Sequence, residues 1–455
     1  MKILQITTRG LKNIDKNLTV NFCNTTIEKN NKIKGFKNVS GFYGGNGAGK
    51  SAFICSIYLY SMLTRTKGYL FESKYQSVLK NLINYKIKEF FIEVIFLSDA
   101  KKVTAKDIFK HSILLKYDPI NDRYEISSEY YGVLKGRTLN DDYVKIVEIN
   151  NDTKSEVNSA FSTYKNYEIN ERICKYILND YRGGSSFITS YLNAVFSVSY
   201  SLNRKNLLLS DKDPLFALLV FSLSLNVYML DDDKIENLYE NNQKIERIKR
   251  VFESNQKNIE EIVNDLGKII GEEKYVDIVP DIMFKNYKEN VEKLKNFIKI
   301  FKPELCDIVV DSTEVKDKKR CRKIFCYKDD IKVDIKYESS GIKHLSLLHS
   351  FLQNYINGLI VFVDEMDVNI NTVYLSKLVE FLVENGKGQL CFTSHNLSPM
   401  EKLNNKHASI NVIGFERKID VWKKLGNRNP SNYYYDGCFE NSPFNVETFD
   451  FLKAF

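Results

Sequence analysis

Gly44-Gly45-Asn46-Gly47-Ala48-Gly49-Lys50-Ser51 stands between an apolar run, Val39–Tyr43 (VSGFY), and residues 52–64 (AFICSIYLYSMLT), which carry a helical pattern. The octapeptide fits G-x-x-x-x-G-K-[ST] in full, in the strand–loop–helix order that the motif needs. Glycines let the backbone close round phosphate oxygens, so that successive N–H groups point inward. The helix that follows turns its N-terminus toward the same anion. Lys50 is expected to reach the β- and γ-phosphates and the Ser51 hydroxyl to ligate Mg²⁺, while Gly44, Gly45, Asn46, Gly47, Ala48, Gly49 and Ala52 line the nucleotide. ATP with Mg²⁺ is the ligand this chemistry implies.

Far downstream, residues 359–365 read LIVFVDE, an apolar strand ending in two carboxylates. A continuous apolar strand belongs in the middle of a parallel sheet. Two adjacent carboxylates at its end are costly to bury without a cation, so a metal–phosphate partner accounts for them. Asp364 is expected to hold the Mg²⁺ shell, and Glu365 to polarise the attacking water.

The remaining organisation is that of an α/β protein. Leu18, Val20 and Phe22 alternate with polar residues, which predicts an opening antiparallel pair, and 90–97 (FFIEVIFL), 112–117 (SILLKY) and 123–126 are further strand candidates. From about 170 to 302 the spacing turns helical, as in Ile235, Leu238, Ile245, Ile248, Val251 and Phe252, then Ile259, Ile262, Val263 and Leu266. Heptads are not sustained there, and Gly267 and Gly271 interrupt them, which leaves no room for a long coiled coil. Residues 215–230 (LFALLVFSLSLNVYML) are broken by Ser and Asn and fall short of a membrane span, so they read as buried core. The expected division is 1–169 and 306–455 for a mixed-sheet head with a P-loop core, split by a helical insertion at 170–305.

With 43% hydrophobic and 27% charged residues the composition is globular rather than disordered. The net charge of +8 permits nucleic-acid binding without arguing for it. The eight cysteines lack zinc spacing, and no apolar leader precedes them in MKILQITTRGLKNID, so reduced thiols in the cytoplasm are expected, with no membrane partner. Residues 316–332 (KDKKRCRKIFCYKDDIK) form the densest basic cluster, either a phosphate contact or a solvated hairpin face.

Two weaker signals gain meaning from their order along the chain. Residues 337–345 (YESSGIKHL) precede the acidic strand, and 391–396 (CFTSHN) follow it as a second buried strand ending in His395. Together with YGGNGAGKSAF, ISSEYYGVL and LIVFVDEMD, they make the chain resemble compact ABC-type ATPases of the SMC/RecF/OLD-like group found in bacterial anti-phage systems. The resemblance implies that Ser339, Gly341 and Lys343 form the signature that meets the γ-phosphate held by an opposite subunit, and that His395 is the switch histidine. Ser339 can equally be a helix N-cap.

That group further implies a homo-oligomer, dimer or higher, acting as a nucleotide-gated sensor or scaffold for a nuclease or toxin encoded in the same operon. A DNA-binding repair ATPase is the alternative, and the nucleotide-binding subunit of a transporter fits less well, because no Q-loop glutamine is evident. Departures from the group are Asn371 at the D-loop position, where relatives carry Asp or His, and too few residues after His395 for a TOPRIM nuclease.

Overall fold

The computed structural model describes residues 1–27, 33–98, 107–150, 156–157, 167–201, 213–229, 275–315, 318–414, 416, 418–423 and 428–439. The chain opens with strands β1 (Lys2–Arg9), β2 (Leu18–Asn21) and β3 (Val39–Tyr43), then helices α1 (Lys50–Arg65) and α2 (Ser73–Leu82). Strands β4 (Glu89–Leu97), β5 (Ile108–Asp118), β6 (Arg123–Leu134), β7 (Tyr143–Asn150) and β8 (Glu156–Val157) follow. Helices α3 (Tyr167–Asp180), α4 (Ile188–Ser201) and α5 (Pro214–Ser224) lead to β9 (Leu225–Tyr228). Next come β10 (Asp277–Pro280), α6 (Phe284–Phe301), β11 (Leu305–Val315), β12 (Lys318–Tyr327) and β13 (Lys332–Asp334). The last described elements are α7 (Ser340–Ile356), β14 (Ile360–Val363), α8 (Thr372–Asn385), β15 (Gln389–Thr393), α9 (Met400–Leu403), β16 (Ala408–Ile413), β17 (Ile419–Val421) and α10 (Pro430–Tyr435).

The fold is mixed α/β with several sheets, as expected. A seven-stranded antiparallel sheet runs β2-β1-β4-β5-β6-β7-β8, and a six-stranded sheet runs β17-β16-β3-β15-β14-β9. In the second sheet β16, β3, β15, β14 and β9 are all parallel, and only β17 is antiparallel. Every residue of β3, β14 and β15 is buried, because helices cover both faces of a parallel sheet. The period of two divides these strands between two cores. Phe42, Ile360, Phe362 and Cys391 pack with α1, α4, α5 and the antiparallel sheet, whereas Tyr43, Val361, Val363, Leu390 and Phe392 pack with α6, α7 and α8.

The expected opening hairpin is present, with Gln5 opposite Asn21 and Thr8 opposite Leu18. Ile126 to Leu134 of the ISSEYYGVL stretch lie within β6 itself. Two strands fall inside the segment read as helical. The apolar stretch at 215–230 is a helix only as far as Ser224; Leu225–Tyr228 is the outermost parallel strand, beside β14. Its polar residues, which read as interruptions, are bonded inside the core. Ser222 Oγ donates to Thr64 Oγ1 at 2.7 Å, and Asn226 Nδ2 to the Ile360 carbonyl at 3.3 Å. Strand β10 joins β12, also within 170–305. The helical spacing read at 235–266 lies outside the described residues. None of the described helices is long and apolar enough to cross a membrane.

Within the basic cluster, Lys318–Tyr327 form β12 of a hairpin with β11, where Lys319 meets Glu314 at 3.0 Å and Lys323 meets Asp277.

A buried polar network ties the P-loop helix to the antiparallel sheet. His111 of β5 shares one ring nitrogen with the Tyr60 hydroxyl of α1 at 2.7 Å and the other with Glu129 Oε1 of β6 at 2.9 Å. Glu129 also accepts from the Ser186 hydroxyl and, at 3.0 Å, from the Phe187 N–H ahead of α4. Stripping one member leaves buried polar groups without partners. His111→Phe keeps an aromatic ring but removes both hydrogen-bonding nitrogens, and should lower unfolding stability in urea by about 2–4 kcal/mol. Combining it with Tyr60→Phe should cost less than the sum of the single changes, as expected of groups in one network.

Candidate functional site

All five parallel strands deliver their C-terminal ends to one edge of the sheet, and there the motifs meet. At the end of β3 the loop turns through three glycines with positive φ, Gly44 (141°), Gly47 (75°) and Gly49 (113°). At Gly44 a Cβ would lie 2.3 Å from the Ile413 carbonyl oxygen, so the end of β16 leaves no room for a side chain. No side chain caps the N-terminus of α1, which leaves its first N–H groups to an anion. The Asn13 amide, from the turn between β1 and β2, donates to the Gly47 carbonyl.

Lys50 is buried, its ammonium donating to the carbonyls of Gly44 at 2.8 Å and Gly45 at 3.2 Å. Burial lowers its pKa from the usual lysine value, and the charges of Asp364, Asp367 and Glu365 pull in the opposite direction. The carboxylates predicted from the sequence therefore lie within electrostatic reach of the predicted lysine. The Asp364 N–H is fixed by the Tyr228 carbonyl of β9 at 2.9 Å. Glu365 has a φ of 50°, a left-handed conformation that a glutamate adopts only when its surroundings impose it.

Thr393, quoted in CFTSHN without a role, imposes it. Its hydroxyl donates to Asp364 Oδ1 at 2.6 Å and accepts from the Glu365 N–H at 2.7 Å. A threonine ending a buried strand carries no distinctive signal until the neighbouring strand is known. β15 lies between β3 and β14, so it brings Thr393 to the acidic pair and the exposed His395 to the same edge. Asp367, a second unassigned residue, accepts from the N–H groups of His395 and Asn396, both at 3.0 Å.

Ser339 is the N-cap of α7, its hydroxyl accepting from the Ile342 N–H at 3.3 Å, so the capping alternative is realised. Ser339 remains exposed, and a Cβ on Gly341 would meet only Asn369 of the turn after the acidic strand, at 3.5 Å. Lys343 lies over the Tyr275 ring, 5.5 Å from its centroid. Within one chain, then, Gly341 stands beside Asn369, Lys343 over Tyr275, and Ser339 at the exposed start of α7. Asn371 caps α8 by accepting from the Val373 N–H at 3.0 Å.

No protein-family model matches the chain, and no curated protein matches it. Among solved structures it is similar to head domains of SMC proteins. One is the Smc head of Pyrococcus furiosus with an extended coiled coil, bound to the C-terminal domain of ScpA: 13% identical, covering 92% of this chain and 95% of that one, TM-score 0.43. A Smc head of Pyrococcus yayanosii with a coiled coil and joint is 9% identical, covering 93% and 97%, TM-score 0.43. The SMC head of Thermotoga maritima is 11% identical, covering 94% and 100%, TM-score 0.35.

Because Thr393 holds both acidic residues, Thr393→Val should weaken Mg²⁺-dependent nucleotide binding or turnover at least about tenfold, as loss of a residue supporting a metal ligand commonly does. Thr393→Ser, which keeps the hydroxyl, should restore most of it. Fluorescent-nucleotide titration and steady-state turnover check both, with circular dichroism to confirm the fold.

Proposed function

We propose that the chain binds ATP with Mg²⁺ and hydrolyses it, working as a nucleotide-gated head that pairs with a second copy of itself. The observation that carries this reading is the convergence of Lys50, the Thr393-held pair Asp364 and Glu365, and His395 on one sheet edge. Lys50 binds and orients the β- and γ-phosphates, and the N–H groups of 44–51 cradle them. The donor set fits Mg²⁺, since a hydroxyl and a carboxylate, Ser51 and Asp364, are hard oxygen ligands that leave positions for phosphate and water. Bound there, Mg²⁺ would neutralise charge building on the transferred phosphoryl group. Glu365 orients the attacking water and takes its proton, and His395 stands where it can contact the γ-phosphate.

The exposed position of Ser339 and the open space at Gly341, at the N-terminus of α7, support the two-copy arrangement. These residues face a phosphate only if another protomer brings one to the N-terminus of α7. We further infer, from the resemblance of the motifs, that ATP-driven pairing in the cytoplasm controls a separately encoded nuclease or toxin in anti-phage defence.

Steady-state ATPase activity and solution mass test the reading, for the wild type and Glu365→Gln, with and without duplex DNA. Glu365→Gln should lower turnover about 100-fold or more, in line with loss of a general base, and should accumulate an ATP-bound species of twice the protomer mass or larger. Lys50→Ala should abolish both. A wild type that neither binds nor hydrolyses ATP overturns the proposal, and strong stimulation by DNA alone would replace the effector role with one in repair. Co-purification with the product of the neighbouring gene tests the effector role directly.

A further inference from the structure

Beneath the turn that follows the acidic strand lies a second polar cluster that none of the roles above uses. Asp367 spends one oxygen, Oδ2, on the N–H groups of His395 and Asn396. Its other oxygen, Oδ1, is buried without a hydrogen-bond partner, and so is the Tyr43 hydroxyl, while the ring of His344 meets the backbone of Met366, the residue just before Asp367. Orphaned buried polar atoms are rare in native proteins and costly to keep. Two of them beside the acidic turn call for a reason.

Each member belongs to a different part of the site. Tyr43 is the last residue of β3, immediately before the phosphate loop, and is completely buried on the side facing α7 and α8. His344 lies in the first turns of α7, just past Gly341, and is also buried. Its Nδ1 is 2.7 Å from the hydroxyl of Tyr228, the residue whose carbonyl holds the Asp364 N–H. The charge of Asp367 is felt by both Tyr43 and His344, and the backbone of Met366 beside it bonds the His344 ring. Burial pushes His344 down to about 4, so its ring is neutral near pH 7 and carries one N–H. With the Tyr228 hydroxyl donating to Nδ1, that N–H is on Nε2, the inward-facing nitrogen.

We infer that Asp367 is a positioning residue that couples the switch histidine to the signature helix: Oδ2 sets the backbone of His395, while the turn that carries it is joined to His344 of α7 through the Met366 backbone and, by way of Tyr228, through Asp364. A turn held at both places cannot follow one without moving against the other. Displacement of His395 by a bound phosphate is thereby carried to the N-terminal turn of α7, the surface that would meet a second copy. The catalytic meaning of this link rests on the ATPase reading above; the link itself does not.

Histidine-selective ¹³C NMR of the full chain tests it, because five histidines give few, assignable signals. Two near-isosteric variants keep the fold within reach, Asp367→Asn and Tyr43→Phe. Asp367→Asn should shift both His395 and His344 while leaving His111 and His407 in place. Tyr43→Phe removes only a buried hydroxyl, with no contact to His395, yet should shift His395 through Asp367. In turnover, Asp367→Asn should lower kcat about tenfold with KM for ATP within about twofold, the pattern of an interaction made in the transition state. An Asp367→Asn spectrum that moves His395 alone, or a Tyr43→Phe spectrum that leaves it unmoved, overturns the coupling. Absence of ATP binding by the wild type would remove the ATPase reading and leave the histidine shifts to settle the link.

Discussion

A buried ammonium organises this molecule. Lys50 is largely removed from water, held by two carbonyls of its own loop and opposed by the carboxylates of a strand that arrives far later in the chain. Burying a charge is tolerated only where opposite charge and hydrogen bonds replace the lost water. That requirement links the loop after β3 to the acidic end of β14, and it constrains the strand between them. β15 separates the two and carries at its end the hydroxyl that holds the acidic pair in place.

The two cores divide the labour on either side of the parallel sheet. On one side α1 lies between this sheet and the antiparallel sheet, tied to the latter by His111 and Glu129, so the phosphate-binding helix is anchored over its middle as well as at its start. On the other side α7 and α8 pack against Tyr43, Val361 and Val363, which puts the signature turn, the acidic turn and the phosphate loop around a common floor. The N-terminal turn of α7 thus shares a core with the strand that leads into the phosphate loop.

The parts legible in the sequence are those whose chemistry demands a fixed local spacing. Eight consecutive residues can wrap a phosphate, and an apolar strand can end in two acids, with no reference to anything distant. The opening hairpin is legible for a similar reason, since alternation is a local pattern. Thr393 and Asp367 are quoted in those same motifs, but their roles come from neighbours across strands, which no linear spacing encodes. The segment containing β9 hides a boundary: its residues are apolar on every side in both the helix and the strand, so periodicity cannot separate Ser224 from Leu225. Ser339 shows the opposite limit: the structure realises its N-cap, and because a capping serine and a signature serine occupy the same helix end, the sequence alone supports both readings.

The sheet order also has a consequence for how the protein comes into being. Ser40 of β3 bonds across the sheet to Ser409 of β16, a partner 369 positions away, and Ile3 is held by Gln389 across 386. At about 5–20 residues per second, translation makes the phosphate-loop strand about 20–70 s before its flanking strands exist. Until then a strand as apolar as Val39–Tyr43 has both edges open and no sheet to enter. The nascent chain therefore presents this strand before any partner in its own sheet exists, while α1 and the antiparallel sheet, built from earlier and more local pairings, are at hand to shelter it.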